Sequence, residues 1–397
     1  MAVHLPKGTR DFLPEQMIHR EQVIETLTRI FVRYGFEPVQ TPTVERIETL
    51  TGKYGDDGEK LIFRVLKRGE AGKRGEVDLA LRYDLTVPLA RVVAMNADLR
   101  MPFKRYQVQP VWRADRPQKG RYREFYQCDI DTVGTRDGTA DAECLAVLQD
   151  ALSALGFKDF TIRLNHRGLL SAMVAEAGVA DLEISVLVAL DKLDKIGREG
   201  VDKELMDRGV SASSRERLWT LLEVSGEPAL DHLQAEIGEP AQQAIAELRE
   251  VLSYARSMGV TDEHLLVDPT LARGLDYYTG PVFEAVVTEP KVGSIAGGGR
   301  YDGLVGMFGK REVPAVGISL GLERILVVME ELGMLPEIRS QSRVLVTVFA
   351  PEFKERSLQV VSQLRAVGIA AQISMGDTKL GRQFKHANAL GIPYVVV

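Results

Sequence analysis

Between residues 15 and 34, Val23, Leu27, Ile30, Phe31 and Tyr34 recur at helical spacing and Gly35 follows. The pattern predicts an amphipathic helix stopped by that glycine, with an apolar stripe that suits a core or a subunit interface. Residues 36–44 read as a strand interrupted by Pro38 and Pro42. Residues 106–111 and 124–133 have the β-branched and aromatic content of two strands, which makes the polar stretch between them a hairpin loop. From about 168 to 262 the chain is rich in Ala, Leu, Glu and Arg and poor in aromatics, the composition of long helices. A further helix is expected from Ile325 to about Leu332, then a polar linker over residues 333–342 that contains Gly and Pro. Beyond it strand and helix patterns alternate: strands over 344–349, 370–374 and 394–397, helices over 353–367 and 379–390. That βαβαβ order implies a parallel sheet flanked by helices.

With 397 residues, 45% hydrophobic and 27% charged, the chain is long enough for two or three domains with a sizeable core. No apolar run approaches the roughly 20 residues of a membrane span. The N-terminus lacks the pattern of an export or transit signal. The two cysteines, Cys128 and Cys144, lack the spacing of a zinc site and read as small buried hydrophobes. These features fit a reducing cytoplasm with no membrane partner. A net charge of −6 argues against indiscriminate nucleic-acid binding and against a DNA partner, while leaving room for RNA gripped at local basic patches.

Two such patches stand out. Residues 113–123 hold five cations (Arg113, Arg116, Lys119, Arg121, Arg123) against the single acid Asp115, a local charge of +4. Residues 343–397 carry seven Lys and Arg against three Asp and Glu, again +4. Guanidinium groups on rigid strands suit phosphate oxygens and purine faces, through forked hydrogen bonds and stacking. A solvated basic loop would show the same charges. The glycines Gly297, Gly298 and Gly299 allow close backbone approach, either beside a substrate or for packing. They form no nucleotide fingerprint: no GK[ST] follows, and GxGxxG is absent.

RADRPQKGRYREFYQ, Arg113 to Gln127, resembles motif 2 of class II aminoacyl-tRNA synthetases, in the histidyl-tRNA synthetase version. KGTRDFLP from Lys7, LRYDLTVPLAR from Leu81, ARGLDYYTGPVFEAV from Ala272, AGGGRYDGL from Ala296 and AVGISLGLERI from Ala315 are similar to that family in the same order. The resemblance implies an α+β fold: a class II antiparallel-sheet catalytic domain over residues 1–330 with a helical insertion at about 168–262, a linker over 331–342, and a C-terminal α/β anticodon-binding-like domain over 343–397. That last domain is expected to be incomplete, since the chain ends within its third strand. The Pro42 segment matches motif 1, which builds the family's dimer interface, so a homodimer is implied. The insertion is either a spacer or a clamp on the tRNA acceptor stem.

The same resemblance implies ATP-dependent activation of L-histidine, with Mg2+ arriving on ATP, then transfer of histidine to the 3′ end of tRNA(His). It implies no resident metal. Adenylation needs no protein nucleophile, because the substrate carboxylate attacks the α-phosphate; it needs aligned reactants and neutralised charge. By resemblance Arg113, Arg273 and Arg324 are the catalytic cations, and Arg113, Arg121, Arg123 and Arg324 hold ATP. On its own sequence context Arg273 reads as an ordinary strand-edge charge. The α-ammonium needs acceptors, which Asp84, Thr86 and Gln127 offer. Neutral imidazole presents one donor and one acceptor, and Asp131 and Tyr278 match the family positions that read them, with Leu85, Tyr277, Tyr301 and Arg273 as neighbours in the histidine pocket. The rival reading is a catalytically silent synthetase-like regulatory subunit of ATP phosphoribosyltransferase; retention of Arg113, Arg273 and Arg324 speaks against it.

Overall fold

The structure, a computed structural model, describes residues 3–272, 277–309, 311–376 and 379–397, apart from the side chains at positions 56 and 57. It divides into two compact units, Met1–Thr9 with Ile24–Leu332, and Arg10–Val23 with Gly333–Val397. The helix Pro14–Arg33 forms as the apolar spacing predicts, with Leu27 and Phe31 fully buried, and Gly35 beyond it takes φ +76°.

In the larger unit the first strands are β1 (Glu37–Pro38), β2 (Val44–Arg46), β3 (Arg64–Leu66) and β4 (Val77–Leu81). The single strand expected over 36–44 is therefore two short pieces, because Pro38 and Pro42 cannot donate to a ladder. β2, β4 and β3 form a small antiparallel sheet. Next come β5 (Phe103–Trp112), β6 (Glu124–Val133), β7 (Phe160–His166), β8 (Leu265–Val267), β9 (Pro281–Val287), β10 (Ala296–Arg300) and β11 (Ala315–Gly321). They join β1 in one eight-stranded sheet of order β1-β5-β6-β11-β10-β9-β7-β8, antiparallel except for the two edge pairs β1·β5 and β7·β8. The hairpin of ten-residue strands β5 and β6 is the predicted one. Its buried apolar side chains include Val111, Cys128, Ile130 and Val133, all 0% exposed; Cys144, on the helix Gly138–Ala154, is buried too.

Arg82 is buried completely and ties three segments together. Its Nε donates to the Pro110 carbonyl at 2.8 Å, and its Nη1 to the carbonyls of Thr41 (2.8 Å) and Pro42 (3.2 Å) and to Gln109 Oε1 (3.1 Å). Between β7 and β8 the chain is helical, from Arg167–Glu176 through Glu239–Ser257. The helix expected from Ile325 begins earlier, at Leu322, immediately after β11.

In the smaller unit β12 (Val344–Val346), β13 (Ala371–Ile373) and β14 (Tyr394–Val396) pair in parallel in the order β13-β12-β14, joined by the helices Lys354–Ala366 and Leu380–Ala389. This is the βαβαβ arrangement read from the pattern, with apolar side chains buried on both faces of its sheet.

Candidate active site

Residues two apart on a strand share a face. Arg105, Gln107 and Gln109 on β5 therefore stand beside Asp131, Asp129 and Gln127 on β6, pair by pair in register. Arg105 is fully buried, and its Nη2 lies 2.7 Å from Asp131 Oδ2. The Tyr301 hydroxyl donates to the other oxygen, Asp131 Oδ1. Burial pushes the Asp131 carboxyl above the usual carboxylate range, while Arg105 and then Tyr301 pull it back.

Glycines make room for this carboxylate. A Cβ on Gly317, the β11 partner of Asp131, would stand 2.1 Å from Asp131 Oδ1, and one on Gly298 would stand 2.0 Å from the Gly317 carbonyl oxygen. Gly299, at φ +155°, would drive a Cβ to 2.6 Å from the Pro281 carbonyl oxygen. The glycine run thus serves backbone approach directly behind the site.

Asp84 precedes the helix Thr86–Met95, and its Oδ1 accepts from Val87 N (3.0 Å) and from the Tyr54 hydroxyl (3.0 Å). Its Oδ2 is buried without a hydrogen-bond partner among the described residues. Gln127 shows the same division: Nε2 donates to Ser319 Oγ at 2.9 Å, and Oε1 is buried with no partner among the described residues. Both residues line a cavity of about 1000 Å³ together with Thr86, Asp131, Tyr277, Tyr278 and Tyr301. A buried acceptor left unmet costs about 1–3 kcal/mol. Two such acceptors belong to residues that line one cavity.

The cavity continues to a cationic end lined by Arg113, Arg121 and Arg324. Arg113 Nε donates to the Tyr83 carbonyl at 3.1 Å, and its guanidinium lies 4.3 Å from the Tyr83 ring centre and 5.2 Å from that of Phe125. No protein partner for its terminal nitrogens occurs among the described residues, so they remain available to an anion. Arg121 Nη1 is 3.7 Å from Asp115 Oδ1. Arg324, in the first turn of the helix Leu322–Glu331, donates to the Ser294 carbonyl. Lys119 pairs with Glu331, which holds the hairpin loop to the same helix. On a third side Arg163 lines the wall, held at 2.6 Å by Asp268 and at 2.6 Å by Asp194 of the helical insertion.

Two predicted site residues differ. Leu85 is fully buried and lines no part of the cavity; its carbonyl accepts from Arg105 Nη2 at 3.3 Å. Arg123 is likewise absent from the lining, because its Nε donates to the Asp115 carbonyl (3.1 Å) and its Nη1 to the Lys7 carbonyl (3.4 Å). It fastens the N-terminal segment to the loop. Arg273 lies outside the described residues. Conversely, Arg105, Tyr54 and Ser319 were not anticipated. The signal existed for the first: Arg105, Gln107 and Gln109 alternate with Tyr106, Val108 and Pro110, which puts three polar side chains on one face of the strand.

Among the described residues no group of three or more His, Cys, Asp or Glu could hold a metal, and no helix is long and apolar enough to cross a membrane. The family model for histidyl-tRNA synthetase matches residues 8–325, and that for the anticodon binding domain matches residues 343–397. The chain belongs to the histidyl-tRNA synthetase family. Among similar proteins, the histidine–tRNA ligase of Gloeobacter violaceus is 45% identical over 98% of this chain and 90% of its own length. That of Aeropyrum pernix is 43% identical over 98% and 88%. The solved histidyl-tRNA synthetase of Nostoc sp. PCC 7120 superposes with a TM-score of 0.86 at 31% identity, covering 100% of this chain and 91% of that one. A structure from Bacillus halodurans described as an ATP phosphoribosyltransferase regulatory subunit/histidyl-tRNA synthetase shares the fold at 24% identity, with a TM-score of 0.81 over 100% of this chain and 98% of that one.

Proposed function

We propose that this chain is a histidine–tRNA ligase that activates L-histidine with ATP, releases pyrophosphate, and transfers histidine to the 3′ end of tRNA(His). The observation that carries the reading is the pair of unmet buried acceptors, Asp84 Oδ2 and Gln127 Oε1, in one cavity with the cations Arg113, Arg121 and Arg324. The acceptors suit the α-ammonium. Asp131, held from behind by Arg105 and Tyr301, keeps lone pairs for an imidazole N–H, and the Tyr278 phenol supplies a group for the second ring nitrogen. With its ammonium end so held, histidine directs its carboxylate toward the cationic end.

There the chain's part is electrostatic. Arg113 would neutralise charge on the α-phosphate as the carboxylate attacks and pyrophosphate leaves, with Arg324 and Arg121 on the nucleotide; Phe125 offers a flat face to a purine. Arg273 is proposed as a further cation at the α-phosphate. Mg2+ belongs to the ATP substrate in this reading. The module 343–397 carries +4 and is proposed to contact tRNA, with residues 1–330 as the catalytic module and 331–342 as the linker between them. A cytoplasmic homodimer, with no DNA partner, completes the proposal. The regulatory-subunit reading has no observation in its favour beyond the shared fold.

The test is histidine-dependent ATP–pyrophosphate exchange. The chain should exchange with histidine and not with leucine or phenylalanine. Arg113→Ala should slow exchange by on the order of 10²-fold or more. Absence of histidine-dependent exchange in the purified chain rejects the function.

A further inference from the structure

The segment between β2 and β3 lies outside every motif read from the sequence, yet it sends one side chain to the site. Tyr54, 3% exposed, stands just ahead of the short helix Gly55–Glu59. Glycine at position 58 makes room for it, since a Cβ there would lie 2.5 Å from Tyr54 Cβ. The end of the segment is pinned beside Arg113, where Ala114 N donates to the Leu61 carbonyl at 2.8 Å. Tyr54 thereby joins the buried cluster that holds Tyr83, Tyr277, Tyr278 and Tyr301.

The Tyr54 hydroxyl is 3.0 Å from Asp84 Oδ1, and both groups are buried. An ionised carboxylate can only accept, so the phenol donates. Burial, and then Asp84 itself, push that phenol well above its ordinary value, which keeps the donated proton on the tyrosine. Together with Val87 N, Tyr54 gives Asp84 Oδ1 two donors, while Oδ2 has no partner among the described residues. The two bonds to one oxygen fix the rotation of the carboxylate. The Tyr54 ring lies against the Tyr83 ring, 4.4 Å between centres, and Arg113 rests on Tyr83 in turn, through its guanidinium at 4.3 Å and its Nε on the Tyr83 carbonyl at 3.1 Å. Asp84 and Arg113 line the cavity, whereas Tyr54 and Tyr83 form no part of its lining.

We propose that Tyr54 is a positioning residue for the amino-acid substrate: its hydroxyl holds the Asp84 carboxylate in the orientation that receives the α-ammonium. The inference rests on the histidine-activating function proposed above. Tyr54 acts through Asp84, and the part of it that acts is a single oxygen atom. Phenylalanine at this position keeps the ring against Tyr83, and with it the support of Arg113.

The experiment is histidine-dependent pyrophosphate exchange on the full chain, for the parent and Tyr54→Phe. The histidine KM should rise by on the order of 10-fold, as for a lost hydrogen bond to a charged group, with kcat and the ATP KM close to the parent values. Imidazole-4-propionate separates positioning from a general loosening of the pocket, because it keeps the ring and carboxylate of histidine and lacks the α-amine. Its inhibition constant against histidine should be the same in both forms, since the analogue has no ammonium for Asp84 to receive. An unchanged histidine KM in Tyr54→Phe, or an equal loss for histidine and the amine-free analogue, overturns the positioning role while the parent's exchange leaves the enzymatic function standing. A parent without histidine-dependent exchange defeats the function itself.

Discussion

At the scale of single residues, β6 carries buried carboxylates in and beside the cavity wall that folding has to tolerate. Asp129 is the clearest case, since burial lifts its carboxyl from an ordinary value of 3.8 to about 7. A carboxyl whose folded value exceeds its unfolded value binds its proton more tightly in the folded state, so it contributes stability at low pH that is lost as pH rises from about 4 to about 7. Asp129→Asn cannot ionise. Its stability relative to the parent should accordingly climb across that interval and level off above it, as urea unfolding at a series of pH values would register. A relative stability that is flat with pH would mean that Asp129 is not held protonated by burial. Burial raises Asp131 as well, but Asp131 has Arg105 in direct contact, 2.7 Å from its carboxylate. Asp131→Ala strips Arg105 of its carboxylate partner and the cavity of its imidazole reader. Histidine activation should fall far more than ATP binding, and discrimination against apolar amino acids, which a polar pocket can raise to roughly 10⁴-fold or more, should collapse. Normal activation of histidine by that variant would show that imidazole is read by other groups.

At the scale of elements, the site is made by register. A one-residue slip between β5 and β6 would turn Arg105 and Asp131 to opposite faces. β11 can lie against β6 only with glycine at position 317, where a Cβ would overlap Asp131 Oδ1 at 2.1 Å and the Ile130 carbonyl at 2.6 Å. Gly317→Ala should lower the melting temperature and abolish exchange, whereas Ala at solvent-facing Gly303, which a Cβ leaves in open space, should do neither. Arg82→Leu leaves the carbonyls of Thr41, Pro42 and Pro110 without their donor, and should destabilise the chain by roughly 3 kcal/mol or more, from about 1–3 kcal/mol per lost buried partner. Equal urea midpoints for Arg82→Leu and the parent would contradict that. Much of this scale was legible beforehand. The hairpin, the long helices and the βαβαβ module follow from apolar period and turn residues, which act locally. The placement of Leu85 and Arg123 was not legible, because a family motif marks a stretch of chain without saying which of its side chains point into the site. Arg123 turns toward the Lys7 carbonyl, a partner 116 positions away that no local pattern announces. Ser319 was missed for a related reason: it accepts from the Gln127 amide of the neighbouring strand, and a lone serine in an apolar strand carries no signal of its own.

At the scale of the whole molecule, the proposed division of labour puts chemistry in the larger unit and an RNA-binding charge in the smaller. Among the described residues the cavity is lined only by residues between Asp84 and Arg324, so the proposed adenylation site takes no lining residue from 343–397. In that module the helix Leu380–Ala389 buries Gln383 and Ala387 and exposes Arg382 and Lys385, with Lys379 exposed at its start. Those three cations are exposed in a chain of net charge −6, and none of them forms an ion pair among the described residues that phosphate would first have to break. Replacing all three by alanine should leave histidine-dependent pyrophosphate exchange unchanged, since none lines the cavity. On the proposed function, aminoacylation should weaken through the KM for tRNA. The salt dependence should also become shallower, the slope of log affinity against log salt falling by something under one for each phosphate contact removed, as counterion release requires. Titrating both forms with tRNA between low and moderate salt measures the slope directly. If affinity and slope are the same with and without the three cations, this face of the module does not touch tRNA, and the +4 charge of residues 343–397 must be sought on its other surfaces or set aside as a solvated one.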